Sequence, residues 1–313
     1  MQPSVKIFSG NQAHALSEKI ALRYGTKQGR INIQQFSDGE FQPVFLESIR
    51  GDFVFLVQST NSPADNLMEL LLMIDAAKRA SAGYITAVIP YFGFARQDRK
   101  DKPRVAIGSK LIANMLATAG ANRVITMDLH APQIQGFFDI PVDHLDSSAI
   151  SIPYVKQLNL ENLTFASPDV GSTNRVREVA SYFGAEMLIC DKQRKRANEV
   201  AAMNVIGDVN DRDIVLIYDI IDTAGTLTLA AAILKERGAR SVRAFCTHPV
   251  LSGEAYENVN NSVLEELVVC DTIPLKQQSP KIRVVEVADL FAVAIRNVHE
   301  NRSISSLFMH GRK

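Results

Sequence analysis

Tryptophan is absent from this 313-residue chain, and cysteine occurs only three times. Cys190, Cys246 and Cys270 sit in or at the ends of apolar runs and share no metal-ligand spacing. An odd number of thiols placed this way excludes a disulfide framework and suits reduced core cysteines in the cytoplasm. An excess of either charge is missing too, because 34 basic residues face 34 acidic ones. That balance gives no global field for nucleic acid and no polybasic tail for a membrane surface. No apolar run approaches the roughly 20 residues of a membrane span. The opening Met1–Phe8 has no signal-peptide pattern and passes straight into strand-like residues. Low-complexity segments are lacking, as are the Gly-x-x-x-x-Gly-Lys-Ser/Thr phosphate loop and the protein-kinase signature set. What remains is 46% apolar, a globular chain long enough for two cores.

Its centre is the stretch from Asp213 to Thr226. Ile214–Tyr218 is a short β-branched apolar run, the mark of a strand buried on both faces in a parallel sheet. Two carboxylates follow, Asp219 and Asp222, then the small-residue turn Thr223-Ala224-Gly225-Thr226. Leu227 to Arg237 are good helix formers stopped by Gly238. Ligands of open α/β sheets sit at the carboxyl ends of strands. Unpaired N–H groups at a helix start suit a phosphate, and acids just before it suit sugar hydroxyls or a hydrated Mg²⁺. A single acid in such a turn is equally at home as a solvated side chain, so the reading rests on the whole string.

Strand and helix patterns alternate along the rest of the chain. Val5–Phe8 reads as a strand and Gln12–Tyr24 as an amphipathic helix; Ile31–Phe36 then leads to the turn Ser37-Asp38-Gly39-Glu40. Phe53–Val57 is a buried strand, Asn66–Ala82 a helix ended by Gly83, and Ile85–Pro90 the next strand. Asp52-Phe-Val-Phe-Leu-Val opens a series that Asp213-Ile-Val-Leu-Ile-Tyr repeats, and Val124-Ile-Thr-Met-Asp128 has its match in Leu267-Val-Val-Cys-Asp271. Matches in the same order point to two copies of one α/β domain. Only the second copy keeps the acidic loop; its counterpart, Gln58-Ser59-Thr60-Asn61, has no carboxylate. The boundary is expected between Asp146 and Tyr154, giving domains of residues 1–148 and 149–313, with the apolar last helix free to pack back on the first domain.

Other strand ends carry charge. Tyr91 to Arg104 holds Arg96, Arg99, Lys100, Lys102 and Arg104, a loop (92–108) suited to polyphosphate because guanidinium groups present a planar fork of donors. Asp128 and His130, and then Asp169, end further strands as candidate metal or phosphate contacts. Lys192, Arg194, Lys195 and Arg196 follow another apolar run, and focused cations suit charge developing in a transition state. Composition alone also fits solvated charged loops and a structural histidine. Taken together, these strand ends are equipment for phosphoryl-type transfer to a sugar phosphate.

The string Asp219-x-x-Asp222-Thr-Ala-Gly-Thr226 resembles the phosphoribosyl-diphosphate loop of the type I phosphoribosyltransferase fold. Pro90–Arg99, Asp128–Asp143, Ser167-Pro-Asp-Val-Gly171 and Asp191-Lys-Gln-Arg194 are similar to the bacterial class I ribose-phosphate pyrophosphokinases, essentially end to end. The resemblance implies two duplicated phosphoribosyltransferase-like domains, each with a mainly parallel sheet flanked by helices. It implies transfer of the β,γ-diphosphoryl group of ATP to O1 of ribose 5-phosphate, giving 5-phosphoribosyl 1-diphosphate and AMP, with Mg²⁺. It places Phe36, Asp38, Gly39, Glu40, Arg96 and Gln97 at ATP, the first four reaching it from a neighbouring subunit. Ribose 5-phosphate falls to Arg194, Tyr218, Asp219, Asp222, Thr223, Ala224, Gly225 and Thr226, catalysis to Lys192 and Arg194, and the metal to His130 and Asp169. A cytoplasmic homohexamer with phosphate and ADP as effectors is implied as well, with neither nucleic acid nor membrane as partner. The chain departs from the family pattern at Tyr218, where an acid is usual, and at Ser172, Gln193 and Lys195. Tyr218 keeps a non-catalytic, synthase-like subunit open as an alternative, and the fold alone keeps a phosphoribosyltransferase open.

Overall fold

The computed structural model describes residues 3–196 and 199–307, with the side chains of 192–202 and 306 excepted. It divides into two compact units. One runs to Asp146 and takes in Thr272–Pro274 and the segment from Val287; the other runs from Ser147 to Asp271 with Leu275–Glu286.

In the first unit, β1 (Val5–Ser9), α1 (His14–Tyr24), a hairpin of β2 (Ile31–Gln35) and β3 (Phe41–Phe45), β4 (Phe53–Val57), α2 (Asp65–Arg79), β5 (Tyr84–Ile89), α3 (Gly108–Ala119), β6 (Arg123–Met127) and β7 (Val142–Leu145) follow in order. The central sheet has the order β1-β4-β5-β6-β7, and every neighbouring pair is parallel. Its strands are β-branched and aromatic runs such as Phe-Val-Phe-Leu-Val, buried on both faces as helix-covered parallel strands must be. Phe8, Leu56, Leu70, Ile74, Ile89 and Leu116 belong to one core cluster.

The second unit repeats the scheme: α4 (Ser148–Gln157), β8 (Leu163–Ser167), α5 (Thr173–Phe183), β9 (Glu186–Arg196), β10 (Glu199–Ile206), β11 (Asp213–Ile221), α6 (Gly225–Glu236), β12 (Ser241–Pro249), α7 (Ala255–Asn260), β13 (Leu267–Cys270) and β14 (Ile282–Val285). Here β8-β11-β12-β13-β14 are parallel in the same order as the first sheet, and β9 and β10 extend the other side of β8. The β9–β10 pair occupies the chain position of the β2–β3 hairpin. It joins the main sheet, whereas β2 and β3 pair only with each other.

Three expectations are adjusted. The strand expected to end at Tyr218 runs on to Ile221, because Ile220 and Ile221 continue the ladder beside His248 and Pro249. Lys192 to Arg196 are not a loop; their backbone continues β9 and pairs antiparallel with β10, placing Lys192 opposite Met203 and Arg194 opposite Val200. The helix expected over Gln12–Tyr24 opens with a short 3-10 turn, Asn11–Ala13.

The last helix, α8 (Ala288–His299), belongs to the first unit and packs on α1. Arg296 lies 5.2 Å above the Tyr24 ring and donates from Nη2 to the Tyr24 carbonyl at 2.8 Å. His299 Nδ1 is 3.2 Å from the Tyr24 hydroxyl, and its ring stands edge-on to Phe53.

Candidate active site

In the second unit the acidic string leaves β11 where sheet order brings β8 to one side and β12 to the other. Alternation along a strand sends Tyr218 and Asp219 to opposite faces. Asp219 meets α5, with Arg175 Nη1 4.0 Å from its Oδ1. Asp222 is held from the next connection: Ser252 donates its hydroxyl to Asp222 Oδ1, and the Ser252 N–H donates to the Asp222 carbonyl at 3.0 Å. Asn258 Nδ2 donates to the Thr223 carbonyl at 3.0 Å. Ala224 turns the chain with φ of 61°, and α6 then begins at Gly225 without a side-chain cap. The first N–H groups of a helix have no intrahelical acceptor, so this turn offers positive dipole ends to an anion.

Asp169 stands just beyond β8. Its Oδ1 accepts the Ser172 N–H at 2.8 Å and the Ser172 hydroxyl at 2.9 Å, while Ser167 donates its hydroxyl to the Asp169 carbonyl at 2.7 Å. Ser172, which departs from the family's usual glycine, thus fixes this acid. Arg175 and Ser252 hold these acids without any sequence motif announcing them, since each acts through a contact to an acid on another segment, whereas Ser172 holds Asp169 from three residues along the same loop.

Tyr218, expected among the ribose 5-phosphate contacts, is buried. Its ring lies in the core cluster with Leu188, Cys190, Met203, Leu216 and Cys246, and it is 7% exposed. Its hydroxyl is buried with no hydrogen-bond partner among the described residues. Burial pushes the phenol well above its ordinary value, so it stays neutral and cannot replace the missing carboxylate. It lies buried on β11, ahead of the acidic turn. Burial likewise drives the Cys246 thiol far up, consistent with an inert core cysteine. Lys192 and Arg194 have backbone places on β9, and their side chains lie outside the described residues.

In the first unit, residues 90–107 hold neither helix nor strand. Tyr91, Phe92 and Gly93 are buried, and Phe92 packs edge-on to Phe138 at 5.6 Å. Beyond Phe94, whose φ is 62°, Arg96, Gln97, Arg99 and Lys100 are exposed. The Gln97 N–H donates to the Phe94 carbonyl at 2.9 Å, and the Gln97 carbonyl accepts the Ser109 hydroxyl at 3.0 Å. His130 is exposed two residues after the buried Asp128; between them, the Leu129 N–H donates to His144 Nε2 at 2.8 Å. The β2–β3 tip is closed by Phe36 N–H to the Glu40 carbonyl at 2.7 Å and by Asp38 Oδ1 accepting the Glu40 N–H at 3.0 Å, with Gly39 at φ of 96°. Phe36 remains 42% exposed at that tip, beside exposed Asp38 and Glu40. Asp169 belongs to the second unit and His130 to the first, and no group of three metal-type ligands occurs among the described residues.

Comparison with known proteins adds the following. Residues 5–120 match the N-terminal domain of ribose phosphate pyrophosphokinase, and residues 183–309 match the phosphoribosyl synthetase-associated domain. A ribose-phosphate pyrophosphokinase of Porphyromonas gingivalis is 57% identical, over 96% of this chain and 97% of its own length. One from Campylobacter jejuni is 52% identical, over 97% of this chain and 99% of its own length. The crystal structure of phosphoribosylpyrophosphate synthetase from Mycobacterium smegmatis superposes with a TM-score of 0.90 at 36% identity, covering 95% of this chain and 99% of that one.

Proposed function

The chain belongs to the ribose-phosphate pyrophosphokinase family, and from that premise we propose how its residues divide the reaction. The reaction passes the β,γ-diphosphoryl group of ATP to O1 of ribose 5-phosphate and yields 5-phosphoribosyl 1-diphosphate and AMP, on two phosphoribosyltransferase-like domains. The observation that carries the division of labour is the turn between β11 and α6, where two anchored acids precede a helix start with uncapped N–H groups.

Ribose 5-phosphate is assigned to that turn. Its phosphate meets the N–H groups of Thr223 to Thr226, and its ring hydroxyls donate to Asp219 and Asp222. ATP is assigned to the first unit, with Arg96 and Gln97 as contacts on the exposed loop. The hairpin tip of Phe36, Asp38, Gly39 and Glu40 serves the nucleotide of a neighbouring copy. The exposed Phe36 ring at that tip, beside the exposed acids Asp38 and Glu40, supports this reading.

Attack by O1 on the β-phosphorus breaks the bond to the α-phosphoryl oxygen, and AMP leaves with that oxygen. Charge spreads over the equatorial oxygens, so catalysis is positioning plus cations. Lys192 supplies a point charge and Arg194 a planar fork. Mg²⁺ fits the donor set: Asp169 engages Oδ1 with Ser172 and leaves Oδ2, a hard oxygen, with no partner among the described residues. His130 is the proposed second contact. When bound, Mg²⁺ neutralises charge on the polyphosphate. Family resemblance also supports a cytoplasmic homohexamer, activated by phosphate and inhibited by ADP. The full-length match to ribose-phosphate pyrophosphokinases favours an active enzyme over a non-catalytic subunit, and the buried, neutral Tyr218 is read as lying outside the sugar contacts.

The test is to mix the protein with ATP, Mg²⁺ and ribose 5-phosphate and follow AMP and 5-phosphoribosyl 1-diphosphate, which should appear in equal amounts. AMP formation independent of ribose 5-phosphate, or none at all, overturns the reading. Consumption of added 5-phosphoribosyl 1-diphosphate with a free base would point to a phosphoribosyltransferase.

A further inference from the structure

The duplication leaves the first unit with a strand end that has no acids, Gln58 to Asn61 after β4, and no task has been given to it. Register aligns the two copies. Val57 pairs with Val88 as Tyr218 pairs with Cys246, so Thr60 corresponds to Ile221 and Gly93 to Leu251. In the second unit the Leu251 N–H donates to the Ile221 main-chain carbonyl at 3.1 Å. In the first unit the equivalent Gly93 N–H donates instead to the Thr60 side-chain hydroxyl, at 2.7 Å. The same hydroxyl lies 3.3 Å from the Tyr91 carbonyl, and the Thr60 N–H donates to that carbonyl at 3.0 Å.

Next to it, Ser59 Oγ accepts the Tyr91 N–H at 3.2 Å and donates to the Thr272 carbonyl at 2.6 Å. Both side chains are buried, Ser59 and Thr60 each at 1% exposure. Gly93 fits so closely that an added Cβ would come within 2.0 Å of the Thr60 carbonyl oxygen. Two hydroxyls therefore bind the buried root, Tyr91 to Gly93, from which Phe94, Arg96 and Gln97 project. A buried N–H that loses its acceptor has no water to replace it.

We infer that Thr60, seconded by Ser59, is a positioning residue for nucleotide binding: the strand end that holds the sugar phosphate in one copy has become, in the other, the clamp on the root of the ATP loop. This rests on the assignment of Arg96 and Gln97 to ATP. A hydroxyl is suited to the task because it accepts the Gly93 N–H and can donate to Tyr91 at once, which an isosteric apolar side chain cannot do.

The experiment measures KM for both substrates in Thr60→Val, Thr60→Ser and Arg96→Ala. Thr60→Val should raise KM for ATP about tenfold, the change that ~1.4 kcal/mol produces, and should leave KM for ribose 5-phosphate within about twofold. Thr60→Ser keeps the hydroxyl and should restore the ATP value. A merely structural role would move both constants together or move neither, and either result overturns the inference. If Thr60→Val does not fold, Ser59→Ala takes its place with the same expected split and the same refutation. Arg96→Ala separates the two layers of the argument. No change in KM for ATP there would refute the assignment of the loop to the nucleotide. A large change there with none in the Thr60 and Ser59 variants would refute the clamp alone.

Discussion

Replacing Tyr218 tests the site from behind. Its ring lies in the core cluster of the second unit with Ile221 and Ala224, and its hydroxyl is desolvated without a partner among the described residues. An uncompensated buried hydroxyl costs roughly 1–3 kcal/mol by protein mutational data. Tyr218→Phe removes the oxygen and keeps the ring, so it should stabilise the protein by about 1 kcal/mol, a rise of about 2–4 °C in Tm for a domain of this size. Turnover and KM for ribose 5-phosphate should be unchanged. Tyr218→Asp restores the family's usual acid but does so inside the core. Truncating a buried aromatic costs about 3–5 kcal/mol, and the carboxylate must also be desolvated or protonated. That loss rivals the whole stability of a typical domain, ~5–15 kcal/mol. Thermal melting and urea unfolding of both variants, with steady-state kinetics on whatever folds, make the assay. A Tyr218→Phe protein that loses activity, or a Tyr218→Asp protein that melts normally and binds ribose 5-phosphate more tightly, would refute the argument.

Other outcomes follow from the same geometry. Lys192→Ala should lower kcat by roughly 10²–10³, as loss of one preorganised transition-state donor does, with ATP binding measured by calorimetry nearly intact; a near-normal kcat removes Lys192 from the mechanism. Asp222→Asn should raise KM for ribose 5-phosphate far more than KM for ATP, and equal effects would make the loop structural. Tyr154 is pushed up to about 12 by burial and then by donating its hydroxyl to Glu266 Oε2 at 2.8 Å. An unfolded phenol gives up its proton near pH ~10. The native state therefore holds the extra proton from there to about 12, and stability falls as pH rises through that window. In Tyr154→Phe the decline measured by urea unfolding should be shallower, and an unchanged slope would refute the assignment.

Much of this was legible in the sequence, for reasons that differ by residue. Phe53–Val57 and Ile214–Tyr218 are apolar on both faces, which only a covered parallel strand tolerates, and their repetition exposed the two-copy plan. The same pattern bears on Tyr218, which continues the run of buried positions from Asp213 along β11. Motif alignment drew it toward the proposed sugar site together with the neighbouring acids, Asp219 and Asp222. Lys192 to Arg196 read as a loop because cations rarely extend a strand, and only the pairing with β10 keeps them in one. Thr60 was illegible, since its hydroxyl acts on Gly93, 33 residues away, and nothing local marks it. Ser252 was hidden in the same way, 30 residues from Asp222.

The place of α8 has a consequence in time. The helix that covers α1, with Phe291 and Ile295 fully buried, is the last α-helix among the described residues, although it belongs to the unit whose sheet comes first in the chain. Between Asp146 and Ala288 lie 288 − 146 = 142 residue steps. At about 5–20 residues per second, a ribosome needs on the order of 7–28 s to add them. Through that interval the nascent first unit holds out the surface of α1 that Tyr24 and its neighbours later share with Arg296 and His299. Until α8 leaves the ribosome, that apolar face of α1 stands without the helix that covers it in the finished unit.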